Sequence, residues 1–167
     1  MHLLIDGYNL LHVNRSMTQL DSIQLQWERD RLIDQLSTYQ KLKSCEITIV
    51  FDGWQGGWST EKRERKKGIE LIFSKLGEKA DEVIKRLVRE KGSGAIVITS
   101  DREVSKFAEK MDVAVIASEQ FREKIEQSEF NVDKIFEEAE GGGFKRKGPS
   151  RRLSKREKRK KAALKKL

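Results

Sequence analysis

The 167 residues carry 35 Lys or Arg against 27 Asp or Glu, a formal net charge of +8, and 37% are hydrophobic; that length suits one domain with an appendage. A single cysteine, Cys45, excludes an intrachain disulfide, and two histidines with that cysteine make a zinc site of His and Cys alone implausible. No apolar run approaches the ~20 residues of a membrane span, and the start lacks a basic region followed by a signal-peptide core, so a cytoplasmic protein with no membrane partner is expected.

The chain opens on Leu3, Leu4 and Ile5, followed at once by Asp6, Gly7, Tyr8 and Asn9. That pattern reads as a buried parallel strand emerging at a sheet edge. It puts Asp6 at the carboxyl end of the strand, where open α/β sheets bind ligands. Taken alone, Asp6 and Asn9 are equally well read as turn formers. Asp21 can cap a helix running to about Lys43, with Leu25, Leu32, Leu36 and Tyr39 at helical spacing. A second strand, Glu46–Phe51, ends in Asp52-Gly53. Residues 54–68 read as a loop holding Trp54, Trp58, Lys62, Arg63, Arg65, Lys66 and Lys67. Ile69–Phe73 is a third strand.

A helix over residues 79–91 buries Val83, Ile84, Leu87 and Val88, and Asp81 shares the face of Ile84 and Val88 at its first turn. Glu82 lies about 100° around that helix and faces solvent or braces the site from behind. The fourth strand, Ala95–Ile98, ends in Thr99, Ser100 and Asp101, and a short helix follows. Residues 113–117 form a fifth strand. Ser118 can cap a helix carrying Phe121 and Ile125, and Val132, Ile135 and Phe136 mark a separate last helix.

Residues 141–143 are three glycines, read as a hinge between a domain over 1–140 and a tail over 141–167. Residues 145–167 hold 13 of the basic residues and one acid, leaving 22 basic and 26 acidic residues in 1–144. An acidic body with a basic arm points to a polyanionic partner, although such a run also serves as a solvated tail. The arm can form a basic helix, but its apolar content is too low to fold alone.

Alternating strands and helices imply an α/β fold with a parallel sheet of order 3-2-1-4-5 and helices on both faces. Strands two, one and four are then neighbours, and their ends deliver Asp52, Asp6 and Asp101 to one rim, with Asp81 leaning over it. One strand-end Asp is ordinarily a turn or cap residue, and Asp52-Gly53 in particular is a common turn. Several carboxylates in one pocket repel unless a cation compensates, and carboxylate oxygens suit Mg²⁺ or Mn²⁺. Such ions assist in-line attack on a phosphodiester. Asn9, Thr99 and Ser100 are placed to hydrogen-bond the acids or a phosphate, or to brace the turns.

These stretches resemble the YacP-like branch of the NYN domain, within the PIN-like nucleases. The matching residues are Asp6-Gly7-Tyr8-Asn9, Glu28-Arg29-Asp30-Arg31-Leu32-Ile33, Tyr39-Gln40, Val50-Phe51-Asp52, Ala80-Asp81-Glu82 and Thr99-Ser100-Asp101. The similarity covers roughly residues 2–127. It implies a PIN-like fold and a metal-dependent endoribonuclease acting on translated mRNA at the ribosome. Asp6, Asp81 and Asp101 are then the core acids, with Asn9 and Asp52 as neighbours. On this reading Lys62, Arg63, Arg65, Lys66 and Lys67 grip RNA phosphates on the acid rim, and Trp54, Trp58 and Tyr8 stack on bases or pack against the domain. The alternative is an RNA- or ribosome-binding factor that cleaves little by itself. A dinucleotide-binding domain is excluded because no Gly-x-Gly-x-x-Gly follows the first strand.

Overall fold

The computed structural model describes residues 1–13, 21–53, 58–137 and 155–166. Its elements in chain order are β1 (His2–Asp6), α1 (Gly7–His12), α2 (Ser22–Lys43), β2 (Glu46–Phe51), β3 (Lys62–Lys66), β4 (Ile69–Phe73), α3 (Ala80–Lys91), β5 (Ala95–Ile98), α4 (Arg102–Lys110), β6 (Ala114–Ile116), α5 (Ser118–Glu137) and α6 (Lys155–Lys166). Trp54 and the glycine hinge at 141–143 lie outside the described residues.

One six-stranded sheet runs β3-β4-β2-β1-β5-β6. Its five parallel strands take the expected order, with Ile5 of β1 opposite both Ile49 of β2 and Ile98 of β5. Alternation along each strand feeds two cores. Leu3, Ile5, Ile47, Ile49, Phe51, Leu71 and Ile98 pack with Leu32, Leu36 and Tyr39 of α2 and with Phe121 and Ile125 of α5. On the other face, Leu4, Val50, Ile72 and Val97 pack with Val83, Ile84, Leu87 and Val88 of α3 and with Val104 and Ala108 of α4. Asp6 has the parity of Leu4, so β1 ends with a carboxylate on the α3–α4 side of the sheet.

The sixth strand corrects the expected loop. Lys62–Lys66 pairs antiparallel with β4 through a two-residue turn in which Lys67 and Gly68 both have positive φ. Its Lys-Arg-Glu-Arg-Lys sequence has no apolar residue, because an edge strand with exposed faces needs none and charges discourage pairing with another chain. Three further differences concern helices. Residues 7–12 form a short helix, capped by Asp6, where a plain turn is expected. The two helices expected after the fifth strand are one continuous helix, α5. The basic tail ends in α6, which docks on the sheet edge: Ala163 is buried in the first core, and Leu164 packs against it. No described helix is long and apolar enough to cross a membrane.

Candidate functional site

Each acid arrives at the rim by a local rule. Asp6 closes β1 and caps α1: its Oδ1 accepts from the Asn9 backbone N–H at 3.2 Å, and Oδ2 accepts from Thr99 Oγ1 at 3.2 Å. Only 7% of Asp6 is exposed. Asp52 follows β2, and its Oδ1 accepts from the Ala80 backbone N–H at 2.7 Å. Lys79 makes no side-chain cap for α3, so Asp52 supplies that cap from across the chain. The same contact fixes Asp81, the second residue of α3, beside the end of β2. Asp101 caps α4, where Oδ1 accepts from the Glu103 and Val104 backbone N–H groups at 2.7 and 2.9 Å.

The charges couple. Burial pushes the Asp6 carboxyl up to about 6, and the negative charges of Asp81 and Asp52 add to it against the bonds from Asn9 and Thr99. Asp81 is also raised, by burial first and then by Asp101 and Asp52, with Lys85 opposing. The structure thus brings Asp6, Asp52, Asp81 and Asp101 to one rim, where Asp6 is raised in part by Asp81 and Asp52, and Asp81 by Asp101 and Asp52. Among the described residues no Lys or Arg forms an ion pair with any of the four. Three of them spend one oxygen on a helix cap, and among the described residues no three His, Cys, Asp or Glu side chains are gathered closely enough to enclose a metal ion. An all-oxygen, open donor set of this kind suits a small hard cation that keeps several waters and takes only one or two carboxylates directly.

Lys85 ties the two acid-bearing helices together. Its buried ammonium lies 2.9 Å from Glu82, one turn away on α3, and bonds Glu103 on α4. Those two carboxylates hold its pKa well above the usual lysine value. Glu82 is therefore exposed, as its position on the helix predicts, and pairs with Lys85. Asn9 is a brace in this arrangement. Its Oδ1 accepts from the Ser100 backbone N–H at 2.8 Å and from Ser118 Oγ at 2.7 Å, joining α1 to the ends of β5 and β6. Ser100 Oγ in turn donates to Glu119 at 2.5 Å and accepts from the Ser118 backbone N–H at 3.0 Å. Thr99 Oγ1, besides holding Asp6, accepts from the Asp101 backbone N–H at 3.1 Å.

On the α2 side of the sheet lies an aromatic wall. Half-buried Tyr8 meets Phe51 edge-on at 5.2 Å, Phe51 stacks on Phe73 at 5.6 Å, and Trp58 meets Phe73 edge-on at 5.3 Å. Trp58 therefore packs against the domain, while Lys62 sits 4.8 Å over its ring. Arg29 of α2 is the functional candidate missed by sequence reasoning. Its guanidinium lies 6.0 and 5.9 Å from the Phe51 and Phe73 rings, its Nη1 reaches Tyr8 Oη at 3.5 Å, and its buried Nε has no hydrogen-bond partner among the described residues. The only sequence signal was its place in the Glu28–Ile33 stretch.

The other basic residues do not share this rim. Lys62 lies opposite Phe73, at the acid end of β4, but Lys66 lies opposite Ile69, at the far end. Lys66 pairs with Asp30 at 2.7 Å and Lys67 with Asp34, both on α2. Arg63 is bound to Glu61 at 2.7 Å and approaches Glu70 at 3.7 Å, and Arg65 is exposed on the outer edge. A loop able to fold back over the acids is replaced by a strand that leads away from them.

Comparison with known proteins agrees with this geometry. The profile of the YacP-like NYN domain matches residues 3–166, so it extends through α6, beyond the 2–127 covered by the motif resemblance. An uncharacterized YacP protein of Bacillus subtilis (strain 168) is 32% identical over 87 residues, 52% of this chain and 51% of that protein; the match thus spans about half the length of the relative. Two crystal structures of Rae1 (YacP) from Bacillus subtilis share the fold. The W164L mutant has a TM-score of 0.69 at 23% identity, covering 83% of this chain and 82% of that one. The second has a TM-score of 0.62 at 24% identity, covering 83% and 81%. With an α/β sheet of this order and a match over nearly its whole length, the chain belongs to the YacP-like NYN domain family.

Proposed function

We propose that the protein is a metal-dependent endoribonuclease that cleaves RNA, with mRNA on the ribosome as its substrate. The observation that carries this reading is the buried Asp6 carboxyl, raised to about 6 beside Asp81 and Asp52, with Asp101 acting on Asp81 and no Lys or Arg among the described residues ion-paired to any of the four. Negative charge accumulated without compensation is stable only where a bound cation or a proton offsets it. Asp6, Asp81 and Asp101 would hold a hydrated Mg²⁺ or Mn²⁺, one or two of them directly and the rest through its waters, with Asp52 beside them. When bound, the ion lowers the pKa of water and neutralises charge on the phosphate.

The chain's own residues supply position. Asp52 and Lys85 fix α3 relative to β2 and α4, so Asp81 and Asp101 keep their spacing. Thr99 orients Asp6. Arg29 and Lys62, set on the aromatic wall, offer RNA phosphates two cations, Lys62 by exchanging its 3.1 Å pair with Glu64. The basic α6 adds sequence-independent affinity that salt weakens.

A second reading has one observation in its favour. Asp6, Asp52 and Asp101 already cap helices, which is a sufficient structural reason for an acid at each position. A ribosome- or RNA-binding factor that cleaves little would need no more. An RNA cleavage assay with Mg²⁺ or Mn²⁺, with and without translating ribosomes, separates the two. Metal-dependent cleavage lost in Asp101→Asn supports the nuclease. Binding without cutting under every condition supports the factor.

A further inference from the structure

A cavity of about 590 Å³ opens beside the acid rim, between α4, the edge strand β6 and α6. Thr99 and Ser100, which bind Asp6 and Asn9, form its wall toward the acids. Val113 and Val115 give it an apolar side, and α6 contributes Arg159 and Lys160. Arg159 is held by an ion pair with Asp112, which fixes α6 against the turn between α4 and β6. The carboxylates of Glu109 and Glu119 also line the space.

We propose that this cavity holds one ribonucleotide of an RNA chain, next to the nucleotide whose phosphate lies at the acids. The proposal rests on reading the acid rim as a nuclease site. A volume of this size is that of a small-molecule pocket and accommodates a nucleotide. The lining offers something for each of a nucleotide's parts. Lys160 of α6 suits a phosphate, the valines suit the face of a base, and carboxylates accept from ribose hydroxyls, as an acidic residue does in dinucleotide-binding folds. DNA lacks the 2′-hydroxyl, so a site with such acceptors favours RNA. The basic tail is then part of a pocket wall as well as a diffuse polyanion binder, and its docking on β6 completes the site.

The test is fluorescence anisotropy of a labelled single-stranded oligoribonucleotide titrated with the full chain in EDTA, where cleavage cannot contribute. Two variants are compared with wild type: Lys160→Glu, an exchange on the face of α6, and Ala117→Leu, which adds bulk inside the cavity. Lys160→Glu is expected to weaken binding about tenfold and to lower the slope of log K against log salt by about one. Ala117→Leu is expected to weaken binding with the salt slope unchanged. The matching deoxyoligonucleotide should bind wild type more weakly, and a free ribonucleoside monophosphate should compete poorly, because it lacks the neighbouring phosphate. Wild-type binding indifferent to both substitutions would overturn the cavity assignment while leaving the nuclease reading intact. A mononucleotide that binds wild type and Ala117→Leu equally would also overturn it. The expected pattern in a protein that never cleaves would keep the cavity and remove the nuclease.

Discussion

Replacing Asp6 by Asn should make the protein more stable at neutral pH. The Asp6 carboxyl moves from an ordinary 3.8 to about 6 in the folded chain, chiefly through burial. Roughly two units at ~1.4 kcal/mol each make an ionised Asp6 cost the native state about 3 kcal/mol. The sign follows from the two titrations. Below pH 3.8 the group is protonated in both states and the penalty is absent. It grows as pH rises from there to about 6 and is full above. Asn is neutral throughout and keeps one oxygen to accept from the Asn9 N–H, while its NH2 takes the place of Oδ2 and donates to the Thr99 hydroxyl, which turns to accept it. Asp6→Asn should therefore be close to wild type at pH 4 and more stable by up to about 3 kcal/mol at pH 8. The assay is urea unfolding followed by far-UV circular dichroism across that range in EDTA. A stability difference independent of pH would refute the assignment of an uncompensated buried charge to Asp6.

Gly7→Ala should destabilise, because a Cβ there would lie 2.3 Å from Phe51 Cε1, on a buried ring held between Tyr8 and Phe73. Thermal unfolding should show a loss of about 1–3 kcal/mol, and Phe51→Leu in the same chain should recover part of it. Asn9→Ala orphans the Ser100 N–H and the Ser118 hydroxyl and should cost about 2 kcal/mol in urea unfolding. Asn9→Asp keeps the acceptor and should restore most of that loss, an outcome that a purely catalytic Asn9 would not produce. Removing residues 155–167 should both lower the melting temperature, by uncovering the core contact of Ala163, and flatten the salt dependence of RNA binding. A melting temperature left unchanged would mean that α6 does not dock in solution.

The legible part of this molecule is its parallel sheet. Apolar runs ending in Asp6, Asp52 and Asp101 read directly as strands, and their chain order implied which would be neighbours, so the acid rim followed. What escaped was structure without an apolar signature. β3 is a run of charges, recognisable only through its pairing with β4 and the positive φ of Lys67 and Gly68. α6 is held by Ala163 and Leu164 within a stretch that composition marks as a solvated tail. Gly7 lies where a plain turn is expected, yet its constraint is the Phe51 ring lying against it inside a helix. Arg29 gave no local sign of its place over two aromatic rings, because that contact joins α2 to β2 and β4 across the fold.

The measurement that bears most directly on the acid rim is calorimetric titration of the full chain with Mn²⁺, in wild type and in Asp6→Asn, Asp81→Asn and Asp101→Asn. Saturable binding in wild type that each substitution weakens or abolishes is the result expected of one shared cation site. Unaltered binding in all three variants, or none in wild type, would contradict it.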